Sequence, residues 1–133
     1  MTKVVIDTSV LVSALLTEHG AEAAVLDGVL DGKLIWCVSE AILAEYKATL
    51  HRPKFRKIDR RDVAAALTLA ASGRMTAVTA RLTHSPHESD NRFYECAQAA
   101  SADYLVTGNL KHFKKDLPPT KIVNARELLR LLS

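Results

Sequence analysis

Lys3-Val4-Val5-Ile6-Asp7-Thr8-Ser9-Val10-Leu11 sets a short apolar, β-branched run against three residues with helix-capping side chains. The run from Lys3 to Ile6 suits a buried strand. Asp7, Thr8 and Ser9 then precede Val10, Leu11, Leu15 and Leu16, an apolar helical face. A strand passing directly into a helix is the opening of an α/β fold, and the rest of the chain continues in that manner. Gly20 to Asp31 repeats apolar residues at helical spacing, and Gly32 can end that helix. Leu34 to Val38 returns to strand character. Ser39 caps a helix bearing Ile42, Leu43, Tyr46 and Leu50, and Pro53 stops it. Asp59 starts another that runs to Gly73. Met75 to Thr79 is a weaker strand, and Thr83 to Ser89 is a polar, Pro-containing loop. Asp90 opens a helix through Ala100, Tyr104 to Thr107 is a strand ending at the Gly108-Asn109 turn, and Lys121 to Val123 is a last strand. Asn124 caps the closing helix.

This alternation predicts a three-layer α/β/α sandwich with a mainly parallel central sheet. Ligands of such sheets bind beyond the carboxyl ends of the strands. That rule directs attention to Asp7, after the first strand, and to Asn109, after the strand ending near Thr107.

Length and composition agree with a single domain over residues 1–133. Apolar residues make up 48% and charged residues 25%, which argues against disorder and low-complexity sequence. The apolar stretch Val4 to Leu16 contains Asp7 and is too short to span a bilayer. With no small-residue cleavage pattern after it, the expectation is a cytoplasmic protein without membrane attachment. Cys37 and Cys96 are too far apart for a CxxC motif and too few for a disulfide framework, so both are expected to be buried thiols. The net charge of +3 is uneven: Lys47 to Arg61 holds seven basic residues and one acid, +6, against 11 basic and 14 acidic residues elsewhere, −3. Such a segment suits an anionic partner, or else a solvated rim.

Three acids stand where few structural reasons would put them. Asp7 interrupts the N-terminal apolar run at the sheet mouth, although a helix N-cap also accounts for it. Glu45 lies in the largely apolar turn Ala41-Ile42-Leu43-Ala44-Glu45-Tyr46, where an exposed glutamate is the common alternative. Asp90 precedes Asn91 at a helix start, again a position a cap would explain. Carboxylates gathered in a dry cleft repel one another unless a cation offsets them. All-oxygen ligation suits Mg²⁺ or Mn²⁺, ions that also serve phosphoryl displacement. Spacing alone does not bring the three together.

The ordered set Val5-Ile6-Asp7-Thr8-Ser9-Val10, Ser39 to Tyr46 with Glu45, Ser89-Asp90-Asn91-Arg92-Phe93 followed by Cys96-Ala97, and Ala102 to Asn109 resembles the PIN-domain family, most closely its bacterial toxin-like subgroup. The likeness runs from Val4 to the terminal helix. It implies a metal-dependent endoribonuclease, often the toxin of a toxin–antitoxin pair, with Mg²⁺ or Mn²⁺ as cofactor. Carried over by position, Asp7, Glu45 and Asp90 correspond to the family's metal-site acids. Asn109 falls at the Thr-Gly-X position, where many members carry a fourth acid. An amide oxygen there can still face a metal or a water, but the lost charge should weaken binding. Asp103 precedes its strand and is a poor substitute; Asp116 would serve only if its loop folds back.

Around these positions Thr8, Ser9 and Thr107 could hydrogen-bond the acids or waters, against the plainer reading of caps and turns. Arg52, Lys54, Arg56, Lys57, Arg60 and Arg61 could guide an RNA backbone, with Lys111, Lys114 and Lys115 as a second cluster. Either cluster could equally touch an acidic antitoxin. Phe55 and Phe113 could stack on bases, the alternative being core or hinge packing. His84 and His87 have helical spacing for a metal, but Pro86 between them argues against a helix; His112 is a candidate for phosphate contact. No Gly-rich phosphate loop or Ser/His pairing occurs, and Asp7-Thr8-Ser9 lacks the second Asp of an aspartate-nucleophile phosphatase. The expected function is therefore RNA cleavage with an antitoxin partner and a homodimer as a plausible assembly. The alternative is a catalytically weak member that binds RNA or protein through the same cleft.

Overall fold

A computed structural model describes residues 1–133. Its strands are β1 (Thr2–Ile6), β2 (Leu34–Val38), β3 (Arg74–Met75), β4 (Tyr104–Val106) and β5 (Lys121–Val123). Its helices are α1 (Thr8–Leu16), α2 (Ala21–Leu30), α3 (Glu40–Leu50), α4 (Arg60–Ala71), α5 (Glu88–Ala100) and α6 (Ala125–Leu132). The strands form one sheet in the order β3-β2-β1-β4-β5, and every pairing is parallel. Successive strand residues point to opposite faces. Val4, Val5 and Ile6 are all fully buried, as are Cys37 and Val38, so helices cover both faces and the molecule is the expected α/β/α sandwich.

Local sequence accounts for most boundaries. Ser39 Oγ accepts the Ile42 amide at 3.2 Å, Asp59 accepts that of Arg61 at 2.8 Å and Asn124 that of Glu127 at 2.8 Å. Gly32 closes α2 at φ +77°, a conformation that favours glycine. α3 ends at Leu50, just before Pro53. Gly73 lets α4 turn tightly into β3: a Cβ there would lie 2.3 Å from the Trp36 carbonyl oxygen.

Two expectations need correction. β3 occupies Arg74–Met75 rather than Met75–Thr79. Its neighbour β2 ends at Val38 where α3 departs, so beyond the Thr76 amide, bonded to the Val38 carbonyl at 2.7 Å, the segment has no strand to pair with. The helix expected to open at Asp90 begins at Glu88 with His87 at its N-cap, which puts Asp90 inside the first turn.

The chain adds β2 and β3 on one side of β1, then crosses to place β4 and β5 on the other. The strand order therefore reverses between β1 and β4, the place where ligands of such sheets bind. Ile6 pairs with Val106, so Asp7 and Thr107 leave the sheet side by side. Tyr46, fully buried on α3, anchors this corner: its hydroxyl donates to the Ile6 carbonyl and receives the Trp36 indole N–H at 3.2 Å.

Candidate functional site

Asp7 occupies the N-cap position of α1 yet makes no capping hydrogen bond. Its Oδ2 instead accepts from Ser9 Oγ at 2.7 Å and from Thr107 Oγ1 at 2.8 Å. The cap alternative for Asp7 is thereby set aside. Ser9 Oγ also receives the Gly108 amide at 3.0 Å, and Thr107 Oγ1 that of Asn109 at 2.9 Å, so two loops close around one carboxylate. Burial pushes the Asp7 carboxyl above the usual range; the Ser9 and Thr107 hydroxyls pull it back, and Glu45 adds repulsion.

Glu45 is half-buried on α3. Its Oε2 receives Thr8 Oγ1 and Thr49 Oγ1, each at 3.0 Å. The role of Thr49 is absent from the sequence reading, although its spacing of four residues from Glu45 on one helix is a usable signal. Asp90, on the first turn of α5, has a buried Oδ2 with no hydrogen-bond donor. The nearest cationic candidate, His112 Nδ1, lies 3.4 Å away, outside hydrogen-bonding geometry. Burial raises the Asp90 carboxyl, Asp7 and Glu45 raise it further, and His112 and His87 oppose them. Asp90 therefore lies within reach of the charges of Asp7 and Glu45 at the mouth of the sheet.

Asn109 is exposed, and its side chain makes no hydrogen bond. Asp103 turns away from this end, accepting the Lys3 amide at 2.8 Å. Asp116 is exposed on the loop before β5. Oxygen donors, a buried carboxylate oxygen without a partner and mutual repulsion all fit a hard divalent cation. No three His, Cys, Asp or Glu side chains gather closely enough to hold an ion by themselves. The donor set thus fits an ion held by one or two carboxylates with water completing its shell.

The basic segment divides by role. Arg60 is committed to the main chain: its guanidinium donates to the carbonyls of Phe55 and Ile58 at 2.8 Å, tying down the turn between α3 and α4. Arg61 pairs with Asp59 at 3.2 Å. Arg52, Lys54, Arg56 and Lys57 are exposed, as are Lys111, Lys114 and Lys115. Phe113 is buried in the core, which removes it as a base-stacking residue, and Phe55 is half-buried beneath Lys54. His84 packs edge-on against Tyr94, whereas His87 stacks on His112 with ring centroids 4.3 Å apart, a pairing the sequence does not suggest. Both cysteines are buried, and burial pushes the Cys96 thiol up to about 12. No single helix is long and apolar enough to cross a membrane.

A family model described as the PIN domain matches residues 3–111. The uncharacterized protein MJ1680 of Methanocaldococcus jannaschii is 30% identical over 110 residues, which covers 80% of this chain and 70% of that protein. Among solved structures, VapBC2 from Rickettsia felis bound to a DNA fragment from their promoter superposes with a TM-score of 0.61 at 18% identity, covering 92% of this chain and 98% of the other. DNA-bound VapBC from Salmonella typhimurium gives 0.61 at 15% identity, covering 94% and 99%. At these identities the likeness is one of fold.

Proposed function

The chain belongs to the PIN-domain family, and on that premise we propose that it is a Mg²⁺- or Mn²⁺-dependent endoribonuclease, the toxin of a toxin–antitoxin pair. The observation that carries this reading is the acidic corner at the strand-order reversal. Asp7 is held by Ser9 and Thr107 through Oδ2, with Oδ1 left free of side-chain donors, and Asp90 keeps a buried oxygen unpaired. Nothing in folding alone favours two buried carboxylates that burial and a neighbouring acid both push upward. A site for a cation and a phosphodiester does.

Of Asp7, Glu45 and Asp90, one or two would hold the ion directly and the rest would act on it through water, with Asn109 able to offer a neutral oxygen. When bound, a divalent ion supplies positive charge against both the acids and the charge that develops on phosphodiester oxygens. The chain's own residues do the rest. Ser9 and Thr107 favour the ionised form of Asp7 and fix its direction, while Thr8 and Thr49 fix the direction of the Glu45 carboxylate. Exposed Arg52, Lys54, Arg56, Lys57 and Lys111 offset the charge of an RNA backbone as it approaches. The partner protein is proposed from the likeness to two VapBC complexes.

A second reading, an RNA- or protein-binding domain without cleavage, is favoured by Asn109 where many members carry an acid. One experiment separates the two: cleavage of a mixed single-stranded RNA pool with Mg²⁺, Mn²⁺ or EDTA, beside Asp7→Asn. Metal-dependent cutting that vanishes in the variant supports the nuclease. RNA binding without cutting by folded, partner-free protein supports the second reading.

A further inference from the structure

Between the acidic corner and α6 lies a cleft of about 400 Å³, whose lining includes Asn109, Leu110, Lys111, His112 and Asn124. Leu110 is 46% exposed, an apolar side chain left in water. His112 is 43% exposed at its side chain and stacks with one face on His87. The Asn109 side chain has no partner, and Asn124 uses only its Oδ1, on the Glu127 amide, so its NH₂ group is uncommitted. Lys111 brings an exposed ammonium. One exposed apolar side chain, a planar ring, two amides and one cation together match a nucleotide: a flat base with donors and acceptors along its edge, joined to a phosphate.

The cleft is also tied to the acids. The Asn109 amide bonds Thr107 Oγ1, which holds Asp7, and His112 Nδ1 lies 3.4 Å from Asp90. Neither neighbouring aromatic side chain can stack on a base here, since Phe113 is in the core and Tyr94 is buried.

We propose that this cleft receives one unpaired base of a single-stranded RNA, stacked against the His87–His112 pair and read along its edge by Asn109 and Asn124. The base belongs to the nucleotide adjoining the phosphate at Asp7 and Asp90, so the cleft sets which residue flanks the cut. This deepens the RNA-cleaving function proposed above and rests on it.

The test is binding without cleavage, in EDTA, of short single-stranded oligoribonucleotides carrying 2-aminopurine at each position in turn. Wild-type protein should change the emission at one position, and an abasic residue there should weaken binding about tenfold. His112→Ala should abolish that emission change and match the abasic loss. His112→Phe, which keeps a stacking face, should restore both. His112 is exposed, and the abasic series on wild-type protein needs no variant to fold. Tight binding with no responsive position, or binding indifferent both to the abasic residue and to His112→Ala, overturns the inference and leaves the nuclease reading standing; it would mean that the cleft meets only sugar and phosphate. No binding of any oligoribonucleotide by wild-type protein would overturn the RNA reading itself, and the inference with it.

Discussion

Replacing Thr107 by valine isolates one of the bonds that favour the ionised form of Asp7. Thr107 is fully buried, and its Oγ1 both donates to Asp7 Oδ2 at 2.8 Å and accepts the Asn109 amide at 2.9 Å. Valine fills nearly the same space but can do neither. A hydrogen bond to a charged group contributes about 1.5–3 kcal/mol, and the stranded Asn109 amide adds to the loss. Thr107→Val should therefore lower stability at pH 8 by roughly 2–3 kcal/mol, a factor of about 30–150 in the folding equilibrium. The pH dependence gives the sharper signature. Burial already raises the Asp7 carboxyl, and the Thr107 bond is one of the interactions that oppose the rise. Removing it raises the carboxyl further. The lost bond favours only ionised Asp7, so the penalty is complete above the folded pKa and shrinks as pH falls through it. Urea unfolding in EDTA at pH 8 and near pH 4 measures this directly. Thr107→Ser provides the control: it keeps the hydroxyl and loses a buried methyl, at about 1 kcal/mol independent of pH. A valine penalty equal at the two pH values, or no larger than that of serine, would refute the electrostatic role assigned to Thr107.

Asp90→Asn should raise Tm in EDTA at pH 8 while abolishing cleavage, because burial and Asp7 raise the folded Asp90 carboxyl and its ionised form costs stability. That gain should fade on acidification through the folded pKa, and a lower Tm for the variant at pH 8 would contradict it. Arg60→Ala should lower Tm by roughly 5 °C through loss of its hydrogen bonds to the turn carbonyls, as a thermal melt would show. Joint alanine replacement of Lys54, Arg56 and Lys57 should leave Tm unchanged and reduce the salt slope of RNA binding by about 0.7 for each phosphate no longer neutralised; thermal melts and titrations at several salt concentrations check both. Cys96, with its thiol raised to about 12, and buried Cys37 should resist iodoacetamide at pH 8 in the folded protein and react once it is unfolded, as read by mass spectrometry.

The sequence determined the parts of this protein that depend on neighbours along the chain. Alternating apolar runs and capping residues mark most of the regular elements closely, because Ser39, Asp59 and Asn124 act within three residues of themselves. The elements that differ from expectation are β3 and α5. β3 is short because β2 runs out beside it, and α5 starts early because Glu88 already supplies an acid to its first turn, just after Ser85 has taken the His87 amide. Asp7 is conspicuous from its place in an apolar run, but a cap and a site acid look alike in sequence. Only the pairing of Ile6 with Val106 brings Thr107, a hundred residues away, to the Asp7 carboxylate and draws it from the cap. In the same way Arg60 and Lys57 are equivalent as letters, and only the folded turn commits one to the main chain and leaves the other to solvent. The stacking of His87 on His112 joins the start of α5 to the turn after β4, two places that touch because the chain crosses the sheet between them. Capping and periodicity are short-range and legible in order; a site at a strand-order reversal is assembled from segments that meet only once the sheet has closed, and its chemistry is decided there.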